Sequence, residues 1–103
     1  MIYEERDYLI KVGQINNYLR MYEEEGFAIQ LPILGNLIGY FTTETGGLNR
    51  TVHIWQYQDF SDRIMRRKLL WENVAWKSYF DKVAPLIIEQ NTRILIPTKF
   101  SPL

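Results

Sequence analysis

The side chains with chemistry to offer gather in a few short stretches. His53, Trp55 and Tyr57 alternate along residues 51–57, and alternate positions of a β-strand share one face. Imidazole titrates close to neutrality, which makes His53 the candidate general base. Tyr40 can join it from a neighbouring strand, and Arg6 and Tyr8 from another, if their sides of the pleat coincide. An imidazole, two phenols and a guanidinium among aromatic walls make a mostly apolar pocket with a few directing polar groups. A plainer reading stands beside it: His53 is a core residue whose ring is satisfied by Tyr40 or a backbone carbonyl.

A basic run follows, with Arg63, Arg66 and Arg67 on one side of an expected helix. Such arginines can grip a carboxylate or phosphate in bidentate fashion. The competing expectation is a solvated basic face, or ion pairs to Glu23, Glu24 and Glu25. Glu4, Glu5 and Asp7 read as strand carboxylates that serve solubility. The chain holds one histidine and no cysteine. Thiolate chemistry is therefore excluded and an imidazole–thiolate metal site is not expected; no motif points to a cofactor.

These residues need elements to position them. Ile2 to Ile10 reads as a strand, with Glu4, Arg6, Tyr8 and Ile10 on one face. Ile15, Tyr18, Leu19 and Tyr22 fall at the helical spacing i, i+3, i+4, i+7, and Gly26 is the expected stop. Residues 31–35 read as a turn-rich connection. Strands over 37–44 and 49–57 flank Gly46-Gly47, the signature of a hairpin. A turn centred there sets Tyr40 opposite His53, Ile38 opposite Trp55 and Thr42 opposite Thr51. Asp59 caps the next helix and Asn73 interrupts it. Trp76, Tyr79, Phe80 and Val83 form a second apolar stripe, and residues 92–96 make the last strand. The order β-α-β-β-α-β is that of the ferredoxin-like split βαβ unit, an α+β fold with the first and third strands central in a four-stranded antiparallel sheet.

Along the same elements the chain resembles the NIPSNAP family. The resemblance rests on Tyr3-Glu4-x-Arg6-x-Tyr8, Gly39-Tyr40-Phe41-Thr42-Thr43-Glu44, Gly46-x-Leu48-Asn49-Arg50, His53-Ile54-Trp55-x-Tyr57 and Arg93-Ile94-Leu95-x-Pro97, and it covers essentially the whole chain. It implies a ferredoxin-like fold of the dimeric α+β barrel type, in which two sheets pack face to face. The family carries no established chemistry to transfer residue by residue.

Length and composition set the outer bounds. One hundred and three residues allow one domain, 1–103. A core this small is thin, and its 15% of aromatic residues suits an interior shared with a second copy. Twelve basic and twelve acidic residues cancel, leaving no surplus charge for nucleic acid. Trp55 and Tyr57 resemble the stacking aromatics of RNA-binding sheets, but the surrounding Gly- and Lys/Arg-bearing pattern is missing. No apolar run is long enough for membrane insertion, and the acidic N-terminus is unlike a targeting segment; a cytoplasmic location is expected. Two readings of function follow. One is a homodimer with an aromatic-lined cleft for a small hydrophobic or acidic molecule, held by Arg6, Tyr8, Trp55, Tyr57 and Arg63. The alternative is a cofactor-independent enzyme, monooxygenase- or isomerase-like, with His53 as base and Tyr40 beside it.

Overall fold

The computed structural model describes residues 1–103. In chain order it comprises β1 (Ile2–Ile10), α1 (Ile15–Met21), a π-helical turn (Tyr22–Gly26), α2 (Phe27–Leu34), β2 (Asn36–Thr42), β3 (Arg50–Tyr57), α3 (Phe60–Glu72), α4 (Val74–Val83), a 3₁₀ turn (Ala84–Leu86) and β4 (Ile87–Leu95). The sheet runs β2-β3-β1-β4 with every neighbouring pair antiparallel. This is the ferredoxin-like α+β arrangement expected from the element order, with β1 and β3 at its centre. No helix is long and apolar enough to cross a membrane.

Three local expectations are corrected. The first concerns the helix expected to stop at Gly26: it continues through a π-turn into α2 and ends at Gly35, whose φ of 94° suits glycine. Gly26 has an ordinary helical φ of −67°. Its lack of a side chain answers a different need, since a Cβ there would lie 2.6 Å from Tyr79 Cζ. Residues 31–34, expected as a connection, are thus the last turn of a helix that accommodates Pro32. Second, β2 carries a bulge at Ile38. Tyr40 opposes His53 and Thr42 opposes Thr51 as expected, but Trp55 faces Leu37 instead of Ile38. Third, β4 starts at Ile87, well before Thr92, and pairs with β1 from Tyr3 to Ile10.

The helices cover one face of the sheet only. Alternation along β3 turns Thr51, His53, Trp55 and Tyr57 inward, all buried, while Val52, Ile54 and Gln56 lie half-buried on the open face. Asp59 caps α3 by accepting from the Asp62 amide, and Asn73 caps α4 by accepting from that of Trp76. The second helical stripe then delivers Trp76, Tyr79 and Val83 to the core. Only 18 of the 103 residues are buried, so the interior is as thin as the length implies.

Candidate functional site

Register places the chemistry in rows across the inward face. Thr92 of β4, Arg6 of β1, His53 of β3 and Tyr40 of β2 form one row; Ile94, Glu4, Trp55 and Leu37 form the next. His53 is 2% exposed and enclosed by aromatic rings. Tyr40 stacks on it at 4.5 Å with the planes 10° apart, and Tyr8 meets it edge-on at 5.1 Å. Stacking means that Tyr40 is a wall of the site, not the hydrogen-bond partner expected for the imidazole. That partner is Trp55, whose Nε1–H donates to His53 Nδ1 at 2.7 Å.

This contact fixes the imidazole. An indole N–H can only donate, so Nδ1 is the acceptor and the neutral ring carries its proton on Nε2. Burial pushes the His53 pKa down to about 3, and the positive charges of Arg6 and Arg67 add to the effect. At neutral pH His53 is therefore an uncharged donor through Nε2–H. That atom is buried and has no partner.

Behind this row lies a charge cluster on Glu4. Its carboxylate is fully buried, and Oε2 accepts from Arg63 Nε at 2.8 Å, from Arg63 Nη2, from Arg6 Nη1 at 3.3 Å and from Thr92 Oγ1 at 3.0 Å. Arg67 Nη1 stands 3.9 Å from Oε1. Burial works against the charge, but the Arg63 hydrogen bonds and the surrounding guanidinium charges outweigh it and hold the Glu4 pKa below its ordinary value. Arg6 also donates from Nε to Tyr8 Oη at 2.6 Å. The arginines of α3 do not form the solvated face expected of them, nor do they pair with Glu23–Glu25. Arg63 and Arg67 reach Glu4, and Arg66 bonds Asp62 Oδ1 and the Ile33 carbonyl; Glu24 and Glu25 pair instead with Arg20 and Lys82.

Between this sheet face and the helices lies a cavity of about 140 Å³. Arg6, Tyr8, Tyr40 and His53 line it, together with Arg67 of α3 and the helical aromatics. Trp55, Tyr57 and Arg63 are not among its lining residues. Trp55 stands behind His53 and orients it, Arg63 grips Glu4, and the Tyr57 hydroxyl is buried without a partner. Sequence reasoning took Glu4 for a solubility carboxylate, and it named Arg67 only together with Arg63 and Arg66 as a possible grip for an anion, with nothing local to separate it from Arg66. The signal for Glu4 was its place on the face of Arg6, Tyr8 and Ile10.

The comparisons with known proteins agree along the whole chain. The NIPSNAP family model matches residues 3–102. The chain is 33% identical over 103 residues to human Protein NipSnap homolog 2, a match covering 99% of this chain and 35% of that protein. It is likewise 33% identical to Drosophila melanogaster Protein NipSnap, over 98% of this chain and 36% of the relative. The chain thus spans about a third of the length of these curated relatives. The crystal structure of a NIPSNAP family protein from Agrobacterium tumefaciens superimposes with a TM-score of 0.97 at 48% identity, covering 99% of this chain and 97% of that one. A Nitrosomonas europaea protein described as a putative antibiotic biosynthesis monooxygenase shares the fold at a TM-score of 0.69 and 12% identity, over 94% of this chain and 98% of that one. The strand that carries His53, the hairpin before it and the paired strand that carries Glu4 and Arg6 all lie within the matched span, and the chain belongs to the NIPSNAP family.

Proposed function

We propose that residues 1–103 act as one small-molecule-binding unit, that the unit works as a homodimer, and that its ligand enters the cavity between sheet and helices. One observation carries this reading: His53 Nε2–H is buried, unpartnered and set in an aromatic-walled cavity. A buried donor without an acceptor costs about 1–3 kcal/mol, and a bound molecule that supplies the acceptor removes that cost. His53, Tyr40, Arg6 and Tyr8 are the contacts of this reading, with Trp55 and Arg63 holding them in place. The open face of the sheet and the thin core support the dimer, and a cytoplasmic location belongs to the same reading.

The general-base alternative is the weaker one. The lone pair of Nδ1 is taken by Trp55 and Nε2 bears the proton, so the ring has no free basic nitrogen near neutral pH. The likeness to monooxygenases is a likeness of fold.

A fragment screen by NMR tests the reading. Ring-sized fragments should shift the Trp76 indole N–H and the His53 side-chain resonances together. Fragments that bind only elsewhere, or none that bind, would overturn it. The His53 ¹⁵N signals should show a protonated Nε2 and an unprotonated Nδ1 at pH 7; the opposite tautomer would restore the base.

A further inference from the structure

We propose that the ligand of this cavity is a small organic acid with a flat apolar body, its anionic group received by Arg6 and Arg67 and the Nε2–H of His53. The proposal rests on the cavity reading above and adds the chemical class.

Charge is the first argument. Three guanidinium groups, Arg6, Arg63 and Arg67, converge on one carboxylate, that of Glu4. The cluster is left with two positive charges unmatched. The remaining neighbouring acids are engaged elsewhere: Asp62 with Arg66, Asp7 with Arg50 and Glu5 with Arg93. The side chains of Arg6 and Arg67 are only 12% and 21% exposed, so solvent does little to relieve the surplus. Burial, and then the charge of Arg6, lower the Arg67 pKa from its ordinary value, whereas for Arg6 burial is outweighed by Tyr8 and Glu4, which hold its pKa above the ordinary value.

Hydrogen-bonding capacity is the second. No aspartate or glutamate lines the cavity. Besides His53 Nε2–H, two more buried groups of its lining residues lack partners, the Trp76 indole N–H and the Tyr79 hydroxyl. Tyr8 already accepts from Arg6 and keeps its own hydroxyl proton to donate. A wall of donors calls for an acceptor-rich occupant. With two arginine charges and no carboxylate in the lining, an anionic acceptor is favoured over a cation.

Size and surface are the third. A cavity of about 140 Å³ is close to the roughly 150 Å³ that accommodates benzene in an apolar engineered site. Its walls are ring faces and edges, the surroundings that favour stacked or edge-on aromatic packing. An inorganic anion would answer the arginines but leave this apolar surface unused.

The test is calorimetric titration of the full chain with benzoate, benzyl alcohol and inorganic phosphate. Benzoate should bind at least about tenfold more tightly than benzyl alcohol and more tightly than phosphate. Arg67→Gln should lower the benzoate-to-benzyl-alcohol ratio, with Arg6 and His53 retaining part of it, and an unchanged ratio would overturn the role of Arg67. Equal affinity for benzoate and benzyl alcohol in the unmodified chain would overturn the acid and leave the cavity reading standing. Phosphate binding as tightly as benzoate would overturn the apolar body. Saturable binding of none of the three would remove the cavity reading with it. The benzoate-to-alcohol ratio in the unmodified chain decides the matter even if the variant folds poorly.

Discussion

His53 and Glu4 are opposite solutions to burying a titratable group: the imidazole is kept neutral, the carboxylate is kept charged. Each leaves a signature in stability. The native state holds His53 with a pKa near 3, against 6.5 for an unperturbed histidine, so the unfolded chain binds the extra proton first as pH falls. Stability is then fully present above pH 6.5 and is lost progressively below it, by about 1.4 kcal/mol per pH unit. Urea unfolding at pH 6.5 and pH 5 should differ by about 2 kcal/mol, and His53→Asn, which keeps an acceptor for Trp55, should flatten most of that slope. An unchanged slope in the variant would assign the proton to another group. Glu4→Gln leaves three arginines facing a neutral amide and should cost about 3–5 kcal/mol in the same measurement at pH 7. Adding Arg63→Met should recover part of the loss, because it removes one of the stranded charges. Alternation made the face of Glu4 legible in the sequence, but not its burial. That depends on Arg63, fifty-nine positions away, and no local pattern announces such a pair.

At the scale of elements, the strands were legible because period-two alternation and a glycine turn act over a few residues. The rows that join Arg6, His53 and Tyr40 follow from them. The first helix was misjudged because glycine has two uses. A helix stop uses its positive φ, whereas Gly26 uses its missing Cβ so that the Tyr79 ring can close on the π-turn. Only tertiary packing separates the two. Gly26→Ala therefore pits two effects against each other. Alanine gains about 1 kcal/mol in helix propensity, but its methyl must displace Tyr79, which is 2% exposed, and the Tyr22 ring 2.9 Å away. Overpacking of this kind costs about 1–3 kcal/mol. The variant should lose roughly 1 kcal/mol in urea unfolding, with perturbed tryptophan fluorescence from Trp76, which packs 5.2 Å from Tyr79. A stabilised variant would show that the contact yields easily.

The whole molecule is a slab of 41 × 35 × 19 Å with a Cα radius of gyration of 14.1 Å, above the roughly 13 Å expected for a compact chain of this length. Helices shield one side. The other side carries the half-buried Val52 and Ile54 beside the 55% exposed Phe41, a mixture suited to burial against a second sheet. Light scattering at micromolar concentration should return twice the mass of the 12.3 kDa chain, persisting on dilution; a sharp monomer peak would remove the dimer from the proposal. Fold and family were legible in the sequence at this scale because they depend on element order and on the hairpin motif. The cavity was not, since most of its wall comes from helices whose packing against the sheet is set by the fold as a whole.

The bulge in β2 also has a consequence for how chain length can vary. Leu37 and Tyr40 both lie opposite inward-facing residues of β3, although three positions separate them, because Ile38 is left out of the count. Removing Ile38 would restore plain alternation and leave Leu37 opposite Trp55 and Tyr40 opposite His53. Removing a residue on the hairpin side of Tyr40 would turn the outer half of the strand over. Ile38 is thus a spare link in β2, the point at which a related chain can be one residue shorter and still present the same inner surface.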